Sequence, residues 1–360
     1  MRNEPDSPIY LASWQAVAYW LSAKPKALDA EFEQGLKAAR QRTDSPIPYL
    51  DGLLALPDQV PVPNDLETVL TAEESRMICR SIGGFPPVHT MGHPKAPKAN
   101  SLQYVRLRMP TQLRGNYYVQ VSDRIFVPSP EFTLLQVAPQ LDQIQATVLC
   151  SLFFSVFCFG RAGETTEPRR ALCSRETVQA FIKGCHGKGQ APHGSAMLLR
   201  ASRLAVKKTA SIAELNCALR MELPRSVDGC GLPRARHNAK VNVASSSAGK
   251  EAHRWCDWLW EKPDGRKVAA EYESNQEHSG EANRKKGLVR ANELMDAGIT
   301  PFTLLSTHYA SAEELDKVAR QIARTLGTKP LDHSPEGLAR RERLRASVTS
   351  AIHRFKGLVP

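Results

Sequence analysis

The stretch RWCDWLWEKPDGRKVAAEYE, residues 254–273, constrains this chain more than any other. Two runs rich in Trp, Val, Leu and Tyr, residues 255–260 and 267–273, flank Pro263-Asp264-Gly265. Aromatic and β-branched runs around a Pro/Asp/Gly cluster predict a β-hairpin. If Gly265 takes the left-handed position of a three-residue loop, Lys262 pairs with Arg266, and counting back sets Asp257 opposite Glu271. Strand side chains alternate faces with a period of two. Glu271 and Glu273 therefore share one face, and Val268, Ala270 and Tyr272 turn towards a core. Two carboxylates opposite each other repel. A cation between them removes the conflict, and Mg²⁺ (or Mn²⁺) takes oxygen ligands. The plainer alternative is a solvated hairpin face whose acids are neutralised by Arg266 and Lys267.

The flanking sequence predicts the rest of a layered domain. Ser211-Ile212-Ala213-Glu214 opens a helix through Leu215, Ala218 and Leu219, with Glu214 placed to complete a capping box. Residues 224–236, with two glycines and two prolines, form a turn region, a strand is expected over 239–244, and 244–250 is a polar loop. After the hairpin comes a helix with Leu288, Ala291, Leu294 and Met295 on one face, stopping at Gly298. Residues 299–305 form an apolar strand, and a helix from Ser311 buries Leu315, Val318, Ile322 and Leu326. A last, basic helix starts at Ser334-Pro335 and carries Arg340, Arg341, Arg343 and Arg345. This order predicts an α/β domain, a mixed sheet flanked by helices, over 205–330, followed by the basic helix of 331–360.

Residues 1–160 predict an α+β domain, with a boundary region over 161–204. Residues 9–22 read as an amphipathic helix burying Trp14, Val17, Ala18 and Trp20, and 43–65 as loop. Strands are expected at 101–109 and 117–127, with a hairpin turn at Arg114-Gly115-Asn116. A helix starts at Ser129-Pro130-Glu131, and ATVLCSLFFSVFCFG (146–160) reads as a buried core helix, too short for a bilayer, which takes about 20 residues.

Net charge is +11 and unevenly spread. Residues 1–160 hold 14 Lys+Arg against 15 Asp+Glu, while 161–360 hold 34 against 22. A basic half points to a polyanion partner, either nucleic acid such as DNA or an acidic membrane surface. None of the eight cysteines forms a C-x-x-C pair, which removes the zinc-ribbon and thioredoxin-like classes. Cys185-His186 with His193 has no metal-site spacing. Residues 1–8 are polar and carry two acids, unlike a signal sequence, so reduced thiols, a cytoplasmic location and no membrane are expected.

The segment RWCDWLWEKPDGRKVAAEYESNQEH resembles the very-short-patch-repair (Vsr)-like endonuclease family, within the restriction-endonuclease superfamily. In that pattern a strand with Asp and a short turn precede a strand ending in Glu-x-Asp-Gly and a nearby His; Asp257, Glu271, Glu273 and His278 match. Ser211 to Glu214 matches an upstream helix opening, and LPRSVDGCGLPRARHN (223–238) a GG-x-GLP-x-x-x-x-N element. Downstream, Arg290, Leu294, Gly298 and the strand 299–305 match. The resemblance implies a restriction-endonuclease-like sheet and Mg-dependent (or Mn-dependent) hydrolysis of DNA phosphodiester bonds. Asp257 and Glu271 would hold the metal, with Glu214 or Glu273 completing the shell. His278 would be a proton donor or phosphate contact, and Arg254, Lys267, Arg284 and Arg290 would meet the DNA. The chain departs from the pattern at Glu273 (one methylene longer than Asp), at Ser274 (for Gly), at Gly287 (for Asp), and in lacking the superfamily's Glu-x-Lys lysine. These departures bear on catalytic competence, so the alternative is a non-catalytic nucleic-acid-binding or antitoxin-type regulator with the same fold. Residues 9–20, the strand pairs and SPEFTLLQVA resemble the scaffold of abortive-infection (AbiEi)-type antitoxin proteins, in many of which a regulator-like region precedes a nuclease-fold domain. A third class, a protein-interaction module, would use the basic helix over 335–355.

Overall fold

The computed structural model describes residues 8–22, 52–62, 70, 72–92, 99–109, 113, 115–160, 163, 165–185, 191–244, 251–273 and 281–360. By internal contacts the chain divides into two units, residues 1–205 with 351–360, and residues 206–350. Helices and open, mostly mixed sheets make up both, so the chain is α/β.

The first unit runs β1 (Ile9–Tyr10), α1 (Ser13–Leu21), β2 (Gln59–Val60), α2 (Ala72–Ser81), β3 (Val88–Gly92), β4 (Ala99–Asn100), β5 (Tyr104–Arg108), β6 (Tyr118–Gln120), β7 (Ile125–Pro128), α3 (Pro130–Val137), α4 (Gln143–Phe154), β8 (Phe157–Phe159), β9 (Thr166–Pro168), α5 (Arg175–Cys185) and α6 (Ser195–Leu204). Its sheets are β1-β7-β6-β2, β3-β5-β4 and the pair β8-β9. Several expectations are corrected here. Residues 9–22 hold a short strand and then a helix buried almost all round, with Ala16, Val17, Ala18 and Trp20 fully buried and Trp14 only half-buried. The strands expected at 101–109 and 117–127 do not pair with each other, and Arg114 of the expected turn lies outside the described residues. β5 pairs with β3 and β4, while β6 and β7 turn over 121–124, where Ser122 Oγ accepts the Ile125 N–H at 3.2 Å. The buried run 146–160 is a helix, capped at Asp142, followed by a strand, because α4 ends before Ser155 and β8 takes Phe157–Phe159. In the expected loop 43–65, residues 52–62 are described and include β2, and the rest lies outside the described residues. No described helix is long and apolar enough to cross a membrane. Every cysteine is free.

The second unit runs α7 (Ile212–Glu222), β10 (Arg236–Ala244), β11 (Glu251–Glu261), β12 (Lys267–Glu273), α8 (Glu281–Asp296), β13 (Ile299–Leu305), α9 (Ser306–Ala310), α10 (Ala312–Thr325) and α11 (Pro335–Lys356), whose residues from 351 count with the first unit. The sheet order is β10-β11-β12-β13, antiparallel except for the parallel pair β12–β13. A parallel pair needs a crossover, which α8 supplies. One face buries Cys256, Leu259, Ala269, Leu294 and Ile299 in a single cluster. The other carries Trp258, Trp260, Val268 and Ala270, each at most 2% exposed. A large side chain such as Leu259 or Val268 contributes about 1.5–3 kcal/mol by leaving water.

The expected apolar face of α8 is corrected. Leu294 is buried, but Leu288 and Met295 are 67% and 53% exposed. α8 instead meets the sheet through ion pairs, Arg254 with Glu293 and Arg290 with Glu271. A second irregularity lies within the sheet. Strict alternation would put Cys256 and Leu259 on opposite faces, yet both join one cluster. The β10–β11 ladder pairs His237 with Trp258 and Ala239 with Cys256 but skips Asn238 and Asp257, and Asn238 has φ 46°. The strands kink there.

Candidate active site

The hairpin turn sets the register of the acids. Gly265 has φ 88°, a left-handed value that favours glycine. The Lys262 N–H donates to the Arg266 carbonyl at 2.9 Å, and the Gly265 N–H to the Lys262 carbonyl at 3.0 Å. The ladder then runs from Glu261↔Lys267 to Trp258↔Ala270, so Asp257 and Glu271 come next in line, as the count requires. At that point the ladder stops. Asp257 Oδ2 accepts the Tyr272 N–H at 2.7 Å. A strand N–H lies in the plane of its sheet, so this carboxylate sits between the strands rather than on the face it was expected to share with Glu271. A charge-assisted hydrogen bond replaces a neutral ladder bond, and the head-on clash of two carboxylates is avoided.

Glu214 comes from the first turn of α7. Ser211 caps that helix, its Oγ accepting the Glu214 N–H at 3.2 Å. The Glu214 carboxylate reaches back to the Ala210 N–H at 2.8 Å and to Asn238 Nδ2 at 3.3 Å. It is 8% exposed. Burial, and then the charge of Asp257, hold its pKa well above the ordinary carboxylate range, against the pull of its hydrogen bonds. Glu271 is also raised, to about 7, chiefly by burial; Arg290 opposes this, while Asp257 and Glu273 add to it. Asp257 thus stands within electrostatic reach of both glutamates. The longer stem of Glu273 takes its carboxylate to α8, where Oε1 lies 3.7 Å from where a Cβ on Gly287 would be. The resemblance has an Asp at that position.

The cations expected to meet DNA are placed as follows. Arg290 Nη2 lies 2.8 Å from Glu271 Oε1 and donates to the Trp255 carbonyl. Arg254 makes a two-pronged pair with Glu293, at 2.6 and 2.8 Å. Both side chains are therefore engaged inside the unit. Lys267, 3.9 Å from Glu261, begins β12 at the turn, about 13 Å of strand from Glu271. Arg284 lies on α8, but its side chain is outside the described residues, as is the whole of His278.

Glu214, Asp257 and Glu271 form an all-oxygen donor set of the kind a hard dication takes. One buried acceptor nearby, Asn238 Oδ1, has no hydrogen-bond partner among the described residues, and Glu271 Oε1 is met by Arg290. Crowded, desolvated negative charge is what a cation relieves. The donor chemistry therefore fits Mg²⁺ or Mn²⁺. As placed, however, no three His, Cys, Asp or Glu side chains among the described residues already surround one point.

Sequence reasoning missed Asn238 as a member of this site. A left-handed residue inside a strand breaks the periodicity from which strands are recognised; the signals available were the residue type, since Asn tolerates that backbone better than most, and its place at the end of the GG-x-GLP-x-x-x-x-N element. It also did not identify Glu271 as the partner of Arg290. Compared with protein-family models, with curated proteins and with solved structures, the chain matches none.

Proposed function

We propose that residues 206–350 form a restriction-endonuclease-like domain and that the protein is a metal-dependent DNA endonuclease. One observation carries the reading. Two carboxylates from different elements, Glu214 of α7 and Glu271 of β12, stand within electrostatic reach of the in-sheet Asp257 of β11, and both have raised pKa values. Shifts of this kind concentrate at functional sites. The order α7-β10-β11-β12-α8-β13 supports the same reading, because it follows the order of the resembling motifs.

In this reading Asp257 and Glu271 hold the cation, with Glu214 or Glu273 beside them. Bound there, Mg²⁺ or Mn²⁺ would supply an activated water and charge stabilisation at the phosphate. Glu214 is fixed by the Ala210 N–H and Asn238. Arg290 neutralises Glu271 until the site is used. Glu271, near 7, can hold or release a proton at its carboxylate around neutral pH. His278 serves as proton donor or phosphate contact, and the basic second half of the chain follows the DNA backbone.

A second reading, a non-catalytic nucleic-acid-binding regulator, is favoured by one feature: a guanidinium already pairs with Glu271, and Gly287 brings no further acid. Cleavage assays on single- and double-stranded DNA with Mg²⁺ or Mn²⁺ separate the two. The endonuclease reading expects cleavage that Asp257→Asn and Glu271→Gln each lower by about a hundredfold or more, the loss seen when a group acting in the transition state is removed. Folded wild-type protein that binds DNA and leaves it intact under all these conditions favours the regulator.

A further inference from the structure

Four non-glycine residues among those described have left-handed backbone: Ser13, Lys208, Asp228 and Asn238. Two of them are joined by one hydrogen bond. Asn238 Nδ2 donates to the Lys208 carbonyl at 2.5 Å, with φ 46° at Asn238 and 60° at Lys208. Such backbone costs on the order of 1 kcal/mol or more per residue, and it persists where the surroundings over-determine it. Asn238 stands in the middle of a strand, where the ladder gains nothing from the turn. Its partner across the ladder, by the register on either side, is Asp257, and these are the two residues that the β10–β11 pairing skips.

The carboxamide itself is divided in role. Nδ2 donates to Lys208 and, at 3.3 Å, to Glu214 Oε2. Both neighbours are acceptors, so the nitrogen must face them. Oδ1 is left over. The residue is 6% exposed, and this oxygen is buried without a hydrogen-bond partner among the described residues. A side chain present only to tie down Lys208 would not leave a buried acceptor unmet, which is itself costly.

We propose that Asn238 is a positioning residue of the acidic site: its kink takes Asp257 out of the ladder, its Nδ2 fixes Glu214, and its Oδ1 gives the cation an uncharged oxygen. The proposal rests on the endonuclease reading. It is tested by Mn²⁺ titration of the full chain, wild type beside Asn238→Gly, Asn238→Asp and Asp257→Asn, with thermal unfolding of each. Glycine takes the left-handed turn freely, so Asn238→Gly keeps the kink and removes only the amide. Its Mn²⁺ Kd is expected to rise about tenfold or more in a protein that still shows a cooperative thermal transition, lowered by the two lost amide hydrogen bonds. Asn238→Asp keeps the oxygen and tolerates the backbone but loses the donor to Glu214, so its Kd should lie between that of wild type and that of Asn238→Gly. Wild-type affinity in Asn238→Gly, or affinity in Asn238→Asp no better than in Asn238→Gly, overturns the proposal. In either case, Mn²⁺ binding by wild type that Asp257→Asn removes leaves the endonuclease reading standing. A wild type that binds no Mn²⁺ overturns both.

Discussion

A carboxylate that gives up its proton near pH 7 makes the folded chain depend on pH in an unusual direction, and Glu271 is such a group. Its folded pKa, about 7, is above the ordinary carboxylate value near 4.5, so the folded chain holds this proton more tightly than the unfolded chain. The resulting stability is fully present below the unfolded value and is lost as pH rises through about 7. Glu214 acts with the same sign, since its pKa is raised too. In metal-free buffer Glu271→Gln should therefore be more stable than wild type at pH 8, by on the order of 2 kcal/mol, and no more stable at pH 4. Urea unfolding at the two pH values checks this. A Glu271→Gln variant less stable than wild type at pH 8 would show that the Arg290 ion pair outweighs the burial of the charge.

At the scale of elements, burial separates two kinds of ion pair. Arg341 of α11 meets Asp316 of α10 at 2.5 to 2.8 Å, with both side chains at most 10% exposed. Arg341→Met leaves Asp316 buried without its partner and should cost about 3–5 kcal/mol. The pair of Lys317 with Glu314 is solvent-exposed and screened, and Lys317→Ala should change stability far less. Equal effects in chemical denaturation would contradict this ranking. The pair also explains why the final helix was only partly legible. Its arginines suggested a basic face, and nothing local reveals that Arg341 turns inward. The β11–β12 hairpin was legible to the residue, because Pro263-Asp264-Gly265 fixes the loop and the Trp- and Val-rich runs fix the strands. The position of the Asp257 carboxylate was not, since it depends on Asn238 in a different strand. The exposed Leu288 and Met295 misled for a related reason: α8 is seated by charged contacts made with β11 and β12, which helical periodicity does not record.

Over the whole molecule, the excess of positive charge lies in residues 161–360, at 34 Lys+Arg against 22 Asp+Glu. Arg341 is buried against Asp316, whereas Arg254 and Arg290 are ion-paired yet partly exposed. If the full chain neutralises about four phosphates, its DNA affinity should fall roughly a hundredfold between 50 and 200 mM salt. Affinity insensitive to salt would remove the electrostatic case for DNA. The central claim, however, concerns the acidic site and does not depend on knowing the nucleic acid. Calorimetric titration of Mn²⁺ into the full chain and into Asp257→Asn tests it most directly. Saturable binding by wild type, lost in a folded Asp257→Asn, is the result expected of a site built from Glu214, Asp257 and Glu271. No binding by wild type, or equal binding by both proteins, would contradict it.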